Sequence, residues 1–213
     1  MIRNVKFIGS MQNTEKKCLA IFDFDKTITK KDSYNDFFIT QFGIIRFIIF
    51  IMRNSFFFFL YILGFIKNNS IKEKILTYYF KGTSFIDFKE KCKEYSKNSL
   101  PRIMNMECIK KIMWHKKMNH ELVLLSASLF EWIEPWAESI GFSHIICTKI
   151  EVVDGIVTGK IRYEDNCYGK NKLIFLKNIF NDLKSYYIFA YGDSKSDKCF
   201  LEIADEVFYR RFN

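Results

Sequence analysis

A chain of 213 residues with a net charge of +9 is long enough for one sizeable hydrophobic core and a modest insertion, whereas two full domains would be cramped. Its 49% hydrophobic and 27% charged residues exclude an intrinsically disordered protein, and the scarcity of Gly (9) and Pro (2) favours long packed elements over loops. The positive charge predicts an anionic partner: a phosphorylated substrate, a nucleic acid or the anionic face of a membrane.

The cysteines and the N-terminus bear on the cellular compartment. The six cysteines include no Cys-x-x-Cys pair and lie away from histidines at zinc spacing, so we expect reduced thiols in the core. The first 17 residues are basic and contain no apolar run of signal-sequence length, which predicts a cytoplasmic protein. The basic residues form no recognisable nucleic-acid-binding motif, so we expect no nucleic-acid partner.

The first predicted element is a strand. Residues 17–24 ("KCLAIFDF") form a nearly continuous apolar run, as is typical of a parallel strand buried on both faces. Similar runs at 121–126 and 186–192 predict two further strands, and helices are predicted between them at 130–141 and 170–180. This alternation predicts an α/β fold with a doubly wound parallel sheet.

The long interval between the first two predicted strands is expected to be helical. Apolar residues recur at three- and four-residue spacing in three stretches, 71–80, 85–98 and 106–118. We therefore predict an all-helical cap domain at residues 33–118. It would be inserted into a catalytic core that consists of residues 1–32 and 119–213.

Short local signals predict a hairpin and the ends of one helix. Asp154-Gly155 lies between two β-rich runs, which predicts a tight antiparallel hairpin beside the main sheet. Ser128 and Glu131 occupy capping-box positions at the start of the helix predicted at 130–141. Gly141 is placed where that helix would end.

Polar residues terminate the three predicted strands. Asp23 and Asp25 end the first, Ser126 ends the second, and Asp193 and Asp197 follow the third. Because ligands bind beyond the carboxyl ends of parallel strands, we expect these residues to line one crevice. Two carboxylates so close in sequence repel each other unless a cation lies between them, so the pair favours a metal site over a surface turn.

Four of these segments carry a family resemblance. "DFDKT", "LVLLS", the lysine of "CYGKNK" and "GDSKSD" occur in the order of the four motifs of the haloacid dehalogenase superfamily, which the chain resembles from about residue 18 to 209. The resemblance is to the phosphoserine phosphatase branch, in which a helical cap lies between the first and second motifs. It implies a Rossmann-like core and a Mg²⁺-dependent phosphatase that acts through an aspartyl-phosphate.

The resemblance also implies a role for each motif residue. Asp23 would be the nucleophile, and Asp25 would act in turn as general acid and general base. Mg²⁺ would be bound by Asp23, by the backbone carbonyl of Asp25 and by Asp193, while Asp197 would hold a metal-bound water. Ser126 would form a hydrogen bond with a phosphoryl oxygen of the substrate.

The remaining implied residues are Thr27 and a lysine. Thr27 would contribute to the substrate site by stabilising the turn after the nucleophile. Lys170 and Lys172 are both candidates for the lysine that balances the acidic charge and binds the phosphate. Members of this branch tend to have a glycine three residues before that lysine, and Gly169 therefore favours Lys172.

Residues 37–66 are strongly apolar and allow two interpretations. The segment is interrupted by Arg46 and Arg53, and no uncharged run reaches the roughly 18 residues that indicate a spanning helix. In one interpretation it forms the packed interior of the cap. In the other, part of it lies in an anionic membrane surface, where the two arginines, seven residues apart, reach lipid headgroups. Attraction to anionic lipid would be strengthened by Lys67, Lys72, Lys74 and Lys81.

The sequence leaves the substrate open between a small phosphate monoester and a lipid phosphate. Phosphoserine phosphatases carry an acidic residue nine positions after the nucleophile. That position is Asp32 here, and we expect Asp32 and Ser33 to begin a helix instead. An apolar cap resembles that of the phosphatidylglycerophosphatase C type, which implies a lipid phosphatase at the inner face of the membrane.

A non-enzymatic alternative is a basic binding module at a membrane, but the filled catalytic positions favour an enzyme.

Overall fold

The computed structural model describes residues 16–212. The strands are β1 (Lys17–Phe22), β2 (Glu121–Leu129), β3 (His144–Thr148), β4 (Val152–Val153), β5 (Ile156–Val157), β6 (Tyr186–Gly192) and β7 (Glu206–Tyr209). The helices are α1 (Ser33–Phe42), α2 (Ile44–Arg53), α3 (Ser55–Ile62), α4 (Asn68–Phe80), α5 (Phe85–Asn98), α6 (Met106–Lys117), α7 (Phe130–Ile140), α8 (Lys170–Ile179) and α9 (Lys198–Leu201). The interpretation of the N-terminal segment falls largely on residues outside the described range.

A five-stranded sheet with the order β3-β2-β1-β6-β7 organises the molecule, and each pair of neighbouring strands is parallel. The predicted α/β fold class is therefore confirmed. The strands β3 and β7 were not predicted, and both lie at the edges of the sheet. The antiparallel pairing of β4 with β5 confirms the hairpin at Asp154-Gly155, where both residues have positive φ.

Both faces of the sheet are buried, which explains the uninterrupted apolar run of β1. Ala20 and Phe22 belong to the hydrophobic cluster on one face, together with Trp132 of α7. Leu19 and Ile21 point to the other face, where the helices α8 and α9 cover them. Burial of each large apolar side chain contributes about 1.5–3 kcal/mol to folding, so the central strand is held firmly in its position.

The helices α1 to α6 lie between β1 and β2 in the chain. Asp32 caps α1 by accepting a hydrogen bond from the Asn35 amide at 2.9 Å, which confirms the expected helix start. Aromatic rings fill the interior of this region, and the ring of Phe37 stacks on Trp132 at 4.5 Å. In contrast, α6 contacts the sheet, where a His115 ring nitrogen and the Tyr191 hydroxyl are 2.8 Å apart. The division into a core and a cap at residues 33–118 stays a prediction, and this contact favours grouping α6 with the core.

The apolar segment 37–66 divides into a buried part and an exposed part. Phe37, Phe38 and Phe50 are buried, whereas the outer sides of α2 and α3 carry exposed isoleucine, methionine and phenylalanine side chains. Among residues 16–212, no single helix has the length and apolar composition needed to cross a bilayer. The pair formed by α1 and α2 has both, with a bend of 113° between the two helices.

One capping prediction is wrong. The helix α7 begins after Leu129 without a side-chain cap, because Ser128 is still part of β2 and its hydroxyl donates a hydrogen bond to Asp25 at 2.5 Å. The Ser128 side chain therefore links β2 to the segment that follows β1 and does not cap α7. The other end of α7 is as expected, since Gly141 terminates the helix in the left-handed conformation.

Candidate active site

A cleft of about 160 Å³ opens at the carboxyl ends of β1, β2 and β6. Its walls include Asp23, Asp25, Lys72, Ser128, Lys172 and Asp193. The chain thus brings together most of the candidate residues from segments that are up to 170 positions apart (Asp23 to Asp193). A larger cavity of about 520 Å³ lies between α2 and α4, and none of the candidate residues lines it.

Asp23 is fixed where β1 ends. Its backbone amide donates to the Tyr191 carbonyl of β6 at 2.9 Å, so the central strand pair sets the position of the carboxylate. The residue is buried. Burial raises the pKa of the Asp23 carboxyl above its usual range, while the Lys172 ammonium opposes this shift and the Asp197 carboxylate adds to it. A buried carboxylate in this environment requires a positive partner to stay ionised.

Lys172 supplies that positive charge. Its Nζ donates to Asp23 Oδ1 and to Asp197 Oδ1, each at 2.6 Å, and the side chain is buried. Burial alone lowers the pKa of a lysine, but the two carboxylates outweigh that effect and raise the pKa of Lys172 above its usual value. Lys170 is exposed instead. Gly169 is the N-cap residue of α8, with φ +58° and ψ −129°, a conformation that favours glycine.

Asp193 and Asp197 follow β6 and complete an acidic cluster. Carboxylate oxygens of Asp23, Asp193 and Asp197 all lie within 4.8 Å of one another. Burial, followed by the Asp197 charge, raises the pKa of Asp193. A Cβ atom at Gly192 would lie 2.9 Å from the Asp197 Cβ, so only glycine allows this approach.

The cluster fits a magnesium ion, because Mg²⁺ prefers carboxylate oxygens and a bound dication would offset the repulsion between these side chains. The aspartates of the cluster differ in how many of their carboxylate oxygens are still available to bind a metal ion. Asp197 Oδ2 already accepts hydrogen bonds from the Ser194 amide at 2.9 Å and the Ser194 hydroxyl at 2.8 Å. The Asp197 carboxylate is therefore suited to a supporting position, and Asp23 and Asp193 offer the more available oxygens.

Asp25 is held at the rim of the cleft by two donors. Its Oδ1 accepts from the Ser33 amide at 2.7 Å, and its Oδ2 accepts from the Ser128 hydroxyl at 2.5 Å. Ser33 is the first residue of α1, so the positive end of the helix dipole faces the carboxylate. This arrangement fixes the orientation of Asp25 while leaving it in the cleft wall.

Ser126 and Thr27 lie behind the cleft wall. Ser126 is fully buried, and its hydroxyl accepts from the Ser128 amide at 3.0 Å. The buried Thr27 hydroxyl has no hydrogen-bond partner within the described part of the chain. The hydrogen bonds that close the turn after Asp23 come from Thr29, whose hydroxyl accepts from the Lys26 amide at 3.2 Å. The structure thus places the turn-stabilising bond on a different threonine from the one that the sequence indicated.

Lys72 of α4 is a charged residue of the cleft that the sequence analysis did not assign to the site. Its Nζ donates to the Ala127 carbonyl at 2.6 Å and lies 5.5 Å from the centre of the Tyr34 ring. Burial lowers the pKa of this ammonium, and the carboxylates of Asp25 and Asp32 oppose that shift. The interpretation of Lys72 as a surface lysine that attracts lipid is wrong, because the side chain points into the cleft. No local signal could have revealed this, since its partner Ala127 is 55 positions away.

Comparisons of the sequence with known proteins found a matching family and a relative. Residues 20–202 match the model of the haloacid dehalogenase-like hydrolase family. Protein CicA of Caulobacter vibrioides (strain NA1000 / CB15N) is 27% identical over 197 residues, which cover 91% of this chain and 86% of that protein.

Solved structures show the same fold. A protein of unknown function from Bordetella pertussis Tohama I matches with a TM-score of 0.77 at 21% identity, over 90% of this chain and 89% of that chain. A phospho-aspartyl intermediate analogue of phosphoserine phosphatase matches with a TM-score of 0.58 at 17% identity, over 91% of this chain and 86% of that chain. At these identities the similarity concerns the fold.

Proposed function

Because the chain belongs to the haloacid dehalogenase-like hydrolases, we propose that it is a Mg²⁺-dependent phosphatase that hydrolyses a phosphate monoester through an aspartyl-phosphate on Asp23. The observation that carries the proposal is the convergence of three carboxylates and Lys172 in one cleft, with the Lys172 ammonium 2.6 Å from Asp23. Phosphoryl transfer requires little beyond in-line positioning and compensation of charge on the phosphate oxygens. This arrangement of groups supports both requirements.

In the first step, an Asp23 carboxylate oxygen attacks phosphorus, and the bond from phosphorus to the ester oxygen breaks. Asp25, in its protonated form, donates its proton to the departing alkoxide. In the second step, Asp25 accepts a proton from water, whose oxygen attacks the phosphorus of the aspartyl-phosphate. The bond to Asp23 then breaks, which releases inorganic phosphate and restores both carboxyl groups.

The cation-binding groups have distinct parts in the proposal. Mg²⁺, when bound, would neutralise charge on the transferring phosphoryl group. Asp23, Asp193 and the backbone carbonyl of Asp25 would hold the ion, and Asp197 would orient a water on it. Lys172 holds Asp23 and would bind a phosphoryl oxygen from the opposite side.

Further contacts to the substrate would come from both parts of the chain. Ser126 would reach a phosphoryl oxygen after a small movement, whereas Thr29 supports the turn that carries Asp23. Lys72, contributed by the region we propose as the cap (33–118), adds a second ammonium that would meet anionic groups of the substrate. The specificity of the enzyme would then be set largely by the cap side of the cleft.

The substrate is a phosphorylated small molecule or a phospholipid. The fold shared with a phosphoserine phosphatase supports the first class. The second class is favoured by the exposed apolar side chains of α2 and α3, which fit a cytoplasmic enzyme attached peripherally to the inner face of a membrane.

Phosphate release from p-nitrophenyl phosphate tests the proposed activity. We expect turnover with Mg²⁺ and loss of turnover after chelation, since the acidic cluster requires a cation. A panel of phosphoserine, sugar phosphates, lysophosphatidate and phosphatidylglycerophosphate would then rank the substrates. If the folded protein releases no phosphate from any of these compounds in the presence of Mg²⁺, the proposal is wrong.

Binding of the ion itself can be measured without turnover. Mg²⁺ at about 100 times its Kd should stabilise the folded protein by about 2.7 kcal/mol, which thermal unfolding detects as a higher Tm. The Asp193→Asn variant should lose most of this shift. An equal shift in the variant would place the ion elsewhere.

A further inference from the structure

A surface of large apolar side chains covers the outer sides of α2 and α3, and we name it the α2–α3 face. On α2, the exposed residues Ile45, Ile48, Ile49 and Met52 follow the spacing of one side of a helix. The face continues over α3 and the residues after it through Phe56, Phe59, Ile62, Leu63 and Phe65. Soluble monomers rarely expose an apolar patch of more than a few hundred Å² unless it binds something.

The packing of the fold does not require this face to be apolar. The opposite side of α2 already anchors the helix through Phe50, which is buried and whose ring lies 4.8 Å from that of Tyr78 and 6.0 Å from that of Phe58. An anchored helix of a soluble protein normally carries polar residues on its outer side. Packing among the described residues therefore does not account for the apolar outer side of α2.

The charged residues within the segment that carries the α2–α3 face are all positive. No carboxylate side chain occurs between Asp36 and Glu73, whereas Arg46 and Arg53 are exposed on α2. The two arginines are seven residues apart, so they lie on one side of the helix, next to Ile49 at the border of the apolar surface. A helix that lies in a membrane surface has this pattern, because its basic side chains extend to the headgroups while the apolar ones enter the acyl region.

We infer that the α2–α3 face binds the surface of an anionic lipid bilayer. A second copy of the chain is the main alternative occupant. Two such faces in contact would bring arginines of both copies together without a carboxylate of the segment to compensate them. An anionic bilayer offers both the apolar interior and the negative charge that this surface lacks.

The position of the face relative to the cleft indicates a substrate class, and this step rests on the proposed phosphatase function. Phe65 precedes Asn68 by three residues, a distance of at most about 11 Å along the chain. Asn68 lines the cleft and donates to the Tyr61 hydroxyl at 3.2 Å. The cleft of about 160 Å³ can admit a phosphate headgroup but not acyl chains. The substrate is then a lipid phosphate monoester whose chains stay in the bilayer.

Vesicle co-sedimentation tests the binding surface with matched variants. The full chain should sediment with phosphatidylcholine vesicles that contain phosphatidylglycerol, and the bound fraction should fall at high salt. Ile45→Glu/Met52→Glu should weaken the partition by at least about tenfold. The control is Ile86→Glu/Met106→Glu, which adds the same charge at side chains of similar exposure (70% and 58%, against 71% and 68%) and should bind normally.

The arginines are tested in the same assay. Arg46→Gln/Arg53→Gln should weaken binding to the anionic vesicles by about tenfold. The control Lys93→Gln/Lys97→Gln removes two exposed charges from α5 and should have little effect. Equal loss in both double variants would show a general effect of net charge and would contradict a defined docking surface.

Three further outcomes overturn the inference. One is a full chain that does not bind anionic vesicles at low ionic strength. Another is a stable dimer in the absence of lipid that Ile45→Glu/Met52→Glu converts to a monomer, since a second copy would then cover the face. The third is binding only after removal of residues 1–15, which would make the chain's own N-terminus the occupant.

Activity assays separate this inference from the proposed function. Ile45→Glu/Met52→Glu should hydrolyse p-nitrophenyl phosphate at the rate of the unmodified protein but lose activity on a lipid phosphate in vesicles by about tenfold or more. Unchanged activity on the vesicle substrate contradicts the lipid assignment alone. Inactivity of the unmodified protein on all phosphate esters contradicts the phosphatase proposal, and the binding result stands independently of it.

Discussion

The cleft and the α2–α3 face each depart from the usual placement of side chains, the cleft by burying charged groups and the face by exposing apolar ones. In the cleft, the charged side chains of Asp23, Lys172 and Asp197 are buried together. On the α2–α3 face, large apolar side chains such as those of Ile45 and Phe56 are exposed to water. Charged groups normally stay at the surface and contiguous apolar groups inside, because each exception is unfavourable for folding. Both regions therefore indicate function, the first in chemistry and the second in binding.

The largest expected effect concerns the cleft. Asp23→Asn should lower kcat for p-nitrophenyl phosphate by at least about 10³-fold, because an amide cannot serve as the nucleophile. The circular dichroism spectrum should be unchanged, since the amide is of similar size. Activity within a few fold of the unmodified protein would place the nucleophile at another residue.

The two sides of α2 offer the second comparison. Phe50→Ala should lower the free energy of unfolding by about 3–5 kcal/mol because it leaves a cavity in the core. Ile45→Ala, on the exposed side of the same helix, should change it by less than about 0.5 kcal/mol. Urea denaturation measures both values. A large loss for Ile45→Ala would mean that the face is packed against something in the lipid-free protein.

The third effect separates two lysines that are neighbours in sequence. Lys172→Ala should lower kcat by about 10²–10³-fold, because it removes the ammonium that lies 2.6 Å from the nucleophile. Lys170→Ala removes an exposed charge and should leave kcat within about twofold. Steady-state kinetics on a soluble phosphate ester would decide between them, and the reverse ranking would refute the assignment.

The last effect, measured as a change per pH unit, tests a buried titratable group outside both regions. Burial, followed by the His120 and Lys111 charges, lowers the pKa of His115 to about 3. The unfolded chain takes up this proton near pH 6.5, so protonation favours unfolding. The free energy of unfolding should be insensitive to this group above about pH 6.5. Below that pH it should fall, by up to about 1.4 kcal/mol per pH unit, until pH 3.

Glu131 changes the free energy of unfolding with pH in the opposite direction to His115, so the contribution of His115 has to be measured against a control. Burial raises its pKa to about 7, so this residue weakens the fold as pH rises from about 4.5 to 7. The slope for His115 is therefore obtained as the difference between the unmodified protein and His115→Gln. An identical pH dependence of both proteins would show that folding does not lower the pKa of His115.

The sequence predicted the parts of the fold that have strong local signals. The apolar runs of β1 and β6, the helical spacing of α5 and the Asp154-Gly155 turn are each visible within about a dozen residues. The short edge strands β3 and β7 lack such signals. Their formation depends on pairing with β2 and β6, which the sequence does not display.

The positions of the candidate site residues were predictable where the order of the motifs indicated them, and less predictable where they depend on contacts between segments that are distant in sequence. The acidic cluster follows from the ends of β1 and β6, and the glycine before α8 pointed to Lys172. Ser128 matched a capping pattern, but its hydroxyl is taken by Asp25, 103 positions away. Lys72 looked like a surface lysine because its partner lies on another element. Local patterns cannot reveal contacts of this kind.

Peptide mapping after a rapid acid quench during turnover locates the covalent phosphoryl group and so identifies the nucleophile. We expect one phosphoryl group on the peptide that contains Asp23, attached to Asp23 itself and absent from Asp23→Asn. A phosphoryl group on Asp25 or on another residue, or turnover without any labelled peptide, would contradict this assignment.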